Sequence, residues 1–139
     1  MRRNVRHMII KALVGWLICT APVQIMPQET GNYPYQVEQW RPLVYEALED
    51  YGIPEQTDTF LRVMQCESMG ETTAHNTNVY SNPKDQASGL MQHMPRYWDN
   101  RAEAIGMPGA SPFNPIANVY ASAWLLTVKH GGWVHWTCY

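Results

Sequence analysis

Four stretches of this chain place apolar residues at three- and four-residue intervals, and glycine or proline closes each one. That period belongs to helices with one buried face. From Trp40 to Tyr51, Leu43, Ala47, Leu48 and Tyr51 share a face before Gly52 and Pro54 end the pattern. The next helix starts at Thr57 or Asp58, either of which can cap it, carries Phe60, Leu61, Val63 and Met64, and stops at Gly70. Residues 89–94 (GLMQHM) read as a short helix. Pro95 opens another that runs through Tyr97, Trp98, Ala102 and Ile105 to Gly106. Asn114-Pro115 is a cap followed by proline at the first helical position. It begins a last helix with Ile116, Val119, Tyr120, Ala123, Trp124 and Val128, broken by Gly131-Gly132. Residues 71–88 have little periodicity and read as a long loop or an irregular small hairpin. With no repeat and no alternating strands, the expected fold class is mainly α. A chain of 139 residues is enough for one domain.

Charge is unevenly spread. Net charge is -2, yet Arg2, Arg3, Arg6 and Lys11 fall in the first eleven residues without an acid. The remainder carries net -6, a poor match to nucleic acid, where phosphate neutralisation needs clustered Lys and Arg. The basic start is followed by the apolar run Ala12 to Cys19 and by Thr20-Ala21-Pro22. That order is expected of a signal peptide, and the run is short of the roughly 18 apolar residues a membrane span needs. An uncleaved N-terminal membrane anchor is the other reading. The expected organisation is a leader or anchor at 1–27, a polar linker at 28–37 and a domain at 38–139, working as a monomer outside the cytoplasm, secreted or in the cell envelope.

Cleaving the leader would remove Cys19 and leave Cys66 and Cys138. Two cysteines in an oxidising compartment are expected to bond, and this bond would close a long loop. A metal site or catalytic thiol is the alternative, but no CxxC or HExxH spacing occurs and the five histidines are scattered. Neither metal nor cofactor is expected. Six tryptophans and eight tyrosines against two phenylalanines supply either a bulky core or flat faces for sugar rings.

Glu67 lies seven residues after Phe60 and three after Met64, at the end of an apolar stripe. Apolar surroundings raise a carboxyl pKa, and a raised glutamic acid is what protonates a glycosidic oxygen near neutral pH. A lone glutamate at a helix end is more often solvated or locally paired.

Its context sharpens the reading. Cys66-Glu67-Ser68-Met69-Gly70 is followed, after the polar loop, by Ala87-Ser88-Gly89-Leu90-Met91-Gln92-His93-Met94-Pro95. Together these resemble the SLT-type lytic transglycosylases of the lysozyme-like superfamily, whose first motif is Glu-Ser at a helix end and whose second is Gly-Leu-Met-Gln. Residues 114–119 and 123–126 look like the family helix that packs behind the site, so the likeness spans about 40 to 136. It implies a lysozyme-like helical domain with an irregular loop or small hairpin beside a cleft. It implies Glu67 as general acid, supported by Ser68, and a peptidoglycan glycan strand as partner. Ser88, Gly89, Leu90, Met91 and Gln92 would bind substrate, Gly89 through close approach of the backbone and Gln92 through donor and acceptor both.

One departure stands out. The family's Ala-Tyr-Asn motif is absent, and the corresponding region reads Lys129 to Trp136. Tyr120 or Trp133 is the expected replacement for the family tyrosine beside the acid, with Trp133 a sugar platform and Trp136 a core residue. The Gly-Gly-Trp ending with the cysteine pair resembles a secreted single-domain subgroup. Glu71, Asp85 and Asp99 are the candidates for a second acid, and none sits in a pattern that marks a nucleophile. The resemblance therefore implies cleavage of the N-acetylmuramic acid–N-acetylglucosamine bond through one glutamate, leaving a 1,6-anhydro end. A hydrolase and a non-catalytic glycan-binding module are the alternatives.

Overall fold

The computed structural model describes residues 33–76, 82, 85–128 and 131–139. The leader read at 1–27 and most of the linker read at 28–37 lie outside them. The described end of that linker packs with the domain. Tyr35–Glu38 forms a short helix, α1, whose Val37 is fully buried, and the Tyr33 hydroxyl donates to the Asp58 carbonyl at 2.9 Å.

The other helices are α2 (Arg41–Asp50), α3 (Thr57–Ser68), α4 (Pro95–Ala104) and α5 (Pro115–Thr127), with 3-10 turns at Pro54–Gln56 and Trp133–His135. Among the described residues there is no strand, and none of these helices is long and apolar enough to cross a membrane. The mainly helical expectation holds because each stripe finds a partner. Val44, Ala47 and Leu48 of α2 meet Phe60, Leu61, Val63 and Met64 of α3 in one core, closed by Val119, Ala123 and Leu125 of α5 and by Trp136. Burying a side chain of that size contributes about 1.5–3 kcal/mol. The opposite side of α5 carries Ala117 and Ala121 against Trp98 and Ala102 of α4. Buried on both sides, α5 is apolar nearly all round. Its small residues leave room for α2 and α4 to approach.

The cap at Asn114 forms as its position predicts, with Oδ1 accepting from the Ile116 and Ala117 N–H groups at 3.0 and 3.2 Å. The start of α3 differs. Neither Thr57 nor Asp58 caps it, because the turn at Pro54–Gln56 runs directly into the helix and the Thr57 hydroxyl donates to the Pro54 carbonyl at 2.7 Å.

Residues 89–94 are not a helix. Ser88 and His93 exchange both backbone hydrogen bonds at 3.0 Å, closing a tight turn between them. Gly89 and Gln92 sit at φ 80 and 49, which a helix excludes. A second single bridge joins Ser88 to His75, so the two ends of the polar loop meet like the base of a small hairpin.

Candidate active site

Glu67 occupies the last turn of α3. The helix ends one residue later, where Met69 and Gly70 turn left-handed at φ 55 and 80. Ser68 makes that ending. Its buried hydroxyl donates to the Met64 carbonyl at 3.3 Å and accepts from the Gly70 N–H at 3.1 Å. Gly70 is demanded twice, by its φ and by space, since a Cβ would fall 2.0 Å from the Gln36 carbonyl oxygen. The Trp40 indole N–H then holds the Gly70 carbonyl at 2.9 Å. The exit of α3 is thus pinned on both sides of the chain.

The Glu67 side chain is half-buried, and burial raises its pKa above the ordinary carboxyl value. Its place at the negative end of the helix acts in the same direction. No described residue forms a salt bridge or hydrogen bond with it. An uncompensated carboxyl in a partly dry place favours the protonated form, and that form can donate. The three candidate second acids are differently placed. Glu71 is exposed and accepts from the Thr73 N–H and hydroxyl at 3.2 and 2.9 Å, which lowers its pKa. Asp85 pairs with Arg96, and Asp99 is exposed on α4.

The second motif forms one unit, turn 88–93, and it is tied to the chain leaving α3. The Gly89 N–H donates to the Ala74 carbonyl at 2.8 Å. The Gln92 amide nitrogen donates to the carbonyls of Ala74 and Gly89 at 3.1 and 2.9 Å. With both its donors engaged, Gln92 has Oε1 left as an acceptor, without a described partner. Ser88 is buried, its hydroxyl donating to the Gln86 carbonyl at 3.1 Å and meeting His75 Nδ1 at 3.1 Å. Leu90 and Met91 are fully buried in the core, so they offer a ligand no open side chain. The need for glycine at 89 is internal: a Cβ there would fall 2.2 Å from the Pro112 carbonyl oxygen and 2.4 Å from Asn118 Nδ2.

The contacts of Tyr120 and Trp133 are with residues other than Glu67. The Tyr120 hydroxyl donates to Asp50 at 2.8 Å, at the last residue of α2; burial first, then that bond, pushes its pKa up to about 12. Trp133 packs edge-on to Phe60 with centroids 6.0 Å apart, about 10 Å along α3 from Glu67 at helical rise. Its ring lies parallel to Tyr139 at 5.5 Å and its N–H donates to Gln56 at 3.0 Å. With Ile53, Gln56, Leu126, Gly132 and Tyr139 it lines a pocket of about 260 Å³. Trp136 is a core residue, as expected.

Cys66 and Cys138 form a disulfide, with Cα atoms 6.0 Å apart across 72 residues of sequence. Two supports escaped the sequence reading. Asn118, buried on α5, accepts the Met91 N–H at 2.8 Å and donates to the carbonyls of Ser88 and Pro112. His93, fully buried, takes a bond from Arg101 at Nδ1 and contacts the Ser122 hydroxyl and the Asn118 carbonyl at Nε2. Burial, then the Arg101 charge, lowers its pKa to about 3. An amide side chain four residues after the Asn114 cap, on a largely apolar helix, is the signal that could have found Asn118.

A helical domain with a half-buried glutamate at a helix end, and a glycine-started turn tied to the chain that leaves that helix, defines the lysozyme-like class. The chain belongs to the Transglycosylase SLT domain family, whose family model matches residues 42–138. Membership supports lytic transglycosylase activity on peptidoglycan as the general function. Comparison with curated proteins and with solved structures finds no significant match.

Proposed function

We propose that this chain cleaves the bond between N-acetylmuramic acid and N-acetylglucosamine in peptidoglycan strands, as a non-hydrolytic lytic transglycosylase with Glu67 as its single catalytic group. The observation that carries the reading is Glu67 itself: half-buried, pKa raised by burial, and unpaired among the described residues. Such a carboxyl holds a proton at a pH where an exposed glutamate has lost it.

The protonated Glu67 donates to the glycosidic oxygen as the bond to the muramyl C1 breaks, and the departing sugar leaves as an alcohol. The substrate's own acetamido oxygen closes on C1 and bears the positive charge. Glu67, now a carboxylate, accepts the proton of the muramyl C6 hydroxyl as its oxygen attacks C1 and displaces the acetamido group. One proton leaves Glu67 and one returns, no water is consumed, and a 1,6-anhydro ring results. The commitments of Glu71 to Thr73 and of Asp85 to Arg96 fit a mechanism without a second acid. Gln92 Oε1 serves as acceptor for a hydroxyl or amide N–H of the glycan. We place the enzyme, as a monomer, outside the cytoplasm through the leader at 1–27, where an oxidising environment suits the disulfide.

The test is mass spectrometry of fragments released from purified peptidoglycan. Anhydromuramyl ends, lost in Glu67→Gln, are the expected result. Reducing muramyl ends would replace this mechanism with hydrolysis, and no release from the folded chain would leave a glycan-binding module.

A further inference from the structure

We propose that Trp136 and Cys138 are positioning residues: residues 136–138 form a brace that holds Glu67 and Gln92 at a fixed separation. The inference rests on the reading of Glu67 as acid and Gln92 as substrate acceptor. Each of those residues is immediately preceded by one that the C-terminal segment grips. Cys66, before Glu67, is bonded to Cys138. Met91, before Gln92, gives its carbonyl to the Trp136 indole N–H at 2.9 Å. The two grips are two residues apart, at most about 7 Å of extended chain.

Both ends of the brace are themselves fixed. Trp136 is buried in the core, with its ring beside His93 and Trp133, and its backbone N–H donates to the Trp133 carbonyl at 2.9 Å. On its other side Met91 gives its N–H to Asn118 at 2.8 Å, so the Trp136 bond and the Asn118 bond together set the path of the chain into Gln92. On the other flank, the chain from Glu67 reaches Ala74, whose carbonyl receives Gly89 and Gln92. The acid and the acceptor therefore lie on a closed ring: α3, the loop to Ala74, turn 88–93, the C-terminal segment, and back through the disulfide to α3. The left-handed residues Met69 and Gly70 interrupt the helix on the Ala74 side. The brace is the side of the ring that bypasses them.

Two links in series make one brace, and this yields a sharp test. Trp136→Phe keeps an aromatic ring in the core and removes only the donor. Cys66→Ser with Cys138→Ser opens the other link. In the full chain, each change is expected to lower kcat on glycan strands at least tenfold with KM within twofold, because misplacing a catalytic group costs rate more than binding. Combining them is expected to lower kcat no further than the worse of the two. Independent stabilising contacts would instead multiply their losses, and that result overturns the brace. So does an unchanged kcat in Trp136→Phe. Asn114→Ala, which weakens the cap of α5 and touches neither link, supplies the comparison: it is expected to lower Tm and leave kcat unchanged. Where the cysteine variant does not fold, the native chain reduced with dithiothreitol takes its place. A second readout needs no activity. By NMR, the Gln92 side-chain amide protons should lose exchange protection when either link is opened and keep it in Asn114→Ala; protection retained with a link open refutes the proposal. If the native chain releases no glycan, the functional reading falls while the Gln92 protons still decide the brace.

Discussion

Asn118 receives the Met91 N–H at 2.8 Å, while its amide nitrogen donates to the carbonyls of Ser88 at 3.3 Å and Pro112 at 2.8 Å. One buried side chain thereby does for turn 88–93 what a strand partner would do: it satisfies backbone groups that no helix or sheet covers. Its amide fills the space that Gly89 leaves by having no Cβ.

Asn118→Ala should therefore be among the more damaging substitutions outside the apolar core. It orphans a buried N–H and leaves a small void, a loss of about 3 kcal/mol. Asn114→Ala, which removes only a helix cap, should cost about 1 kcal/mol. Urea unfolding of both variants checks the order. Equal losses would mean that the turn is held by something other than Asn118.

The parts of this fold that were legible are those decided within a few residues. The stripe ending at Met64 sets the buried face of α3, so Glu67 could be located at its dry end from spacing alone. The Asn114 cap and Pro115 likewise act on their own helix. Residues 89–94 read as a helix from the sequence, whereas the shape of turn 88–93 is decided far away. Leu90, Met91 and Met94 have spacings a helix could use, but the partners that impose positive φ at Gly89 and Gln92 are Ala74 and Asn118. Trp133 shows the same limit on the site. Nothing local reveals that Tyr139 lies flat against its ring and that Gln56 takes its N–H. The Gly-Leu-Met-Gln motif was legible as a motif, whereas the burial of Leu90 and Met91 was not.

Glu67→Gln separates catalysis from stability. Loss of the acid should lower glycan cleavage at least about a hundredfold. The same change should raise Tm at neutral pH. The Glu67 pKa is raised in the folded chain, so its ionised form is the one folding disfavours, and an amide removes that cost. The gain should fade as pH falls to where the unfolded chain is also protonated. Melting curves of both proteins at pH 7 and pH 3 test this. A variant less stable than the parent at pH 7 would mean that Glu67 has favourable partners when folded.

Opening the disulfide should cost about 2–4 kcal/mol, since 72 residues of chain regain freedom in the unfolded state. Cys66 is exposed, so dithiothreitol can reach the bond in the folded protein. Unfolding curves with and without reductant measure the loss. Coincident curves would show that the C-terminal segment is held by Trp136 and its neighbours alone.

His93 and Glu67 should pull stability in opposite directions as pH falls. The folded pKa of His93 is about 3 against an unfolded value near 6.5, because burial and Arg101 oppose a charge on the ring. Between those values the unfolded chain binds a proton that the folded chain refuses, so stability drops as pH falls through that window and is indifferent to His93 above it. Glu67 behaves oppositely: its raised pKa makes the folded chain the tighter proton binder just above the ordinary carboxyl range, so it adds stability as pH falls there. In the parent the two partly offset each other. Glu67→Gln removes the offset, and its acid-side loss should be steeper than the parent's. His93→Gln keeps a donor and an acceptor without a titrating ring, and its stability should change less between pH 6 and 4 than that of the parent. Both comparisons are read from urea midpoints across that range. If His93→Gln tracks the parent throughout, the ring does not stay neutral in the folded chain, and the bond from Arg101 to Nδ1 is not what holds it.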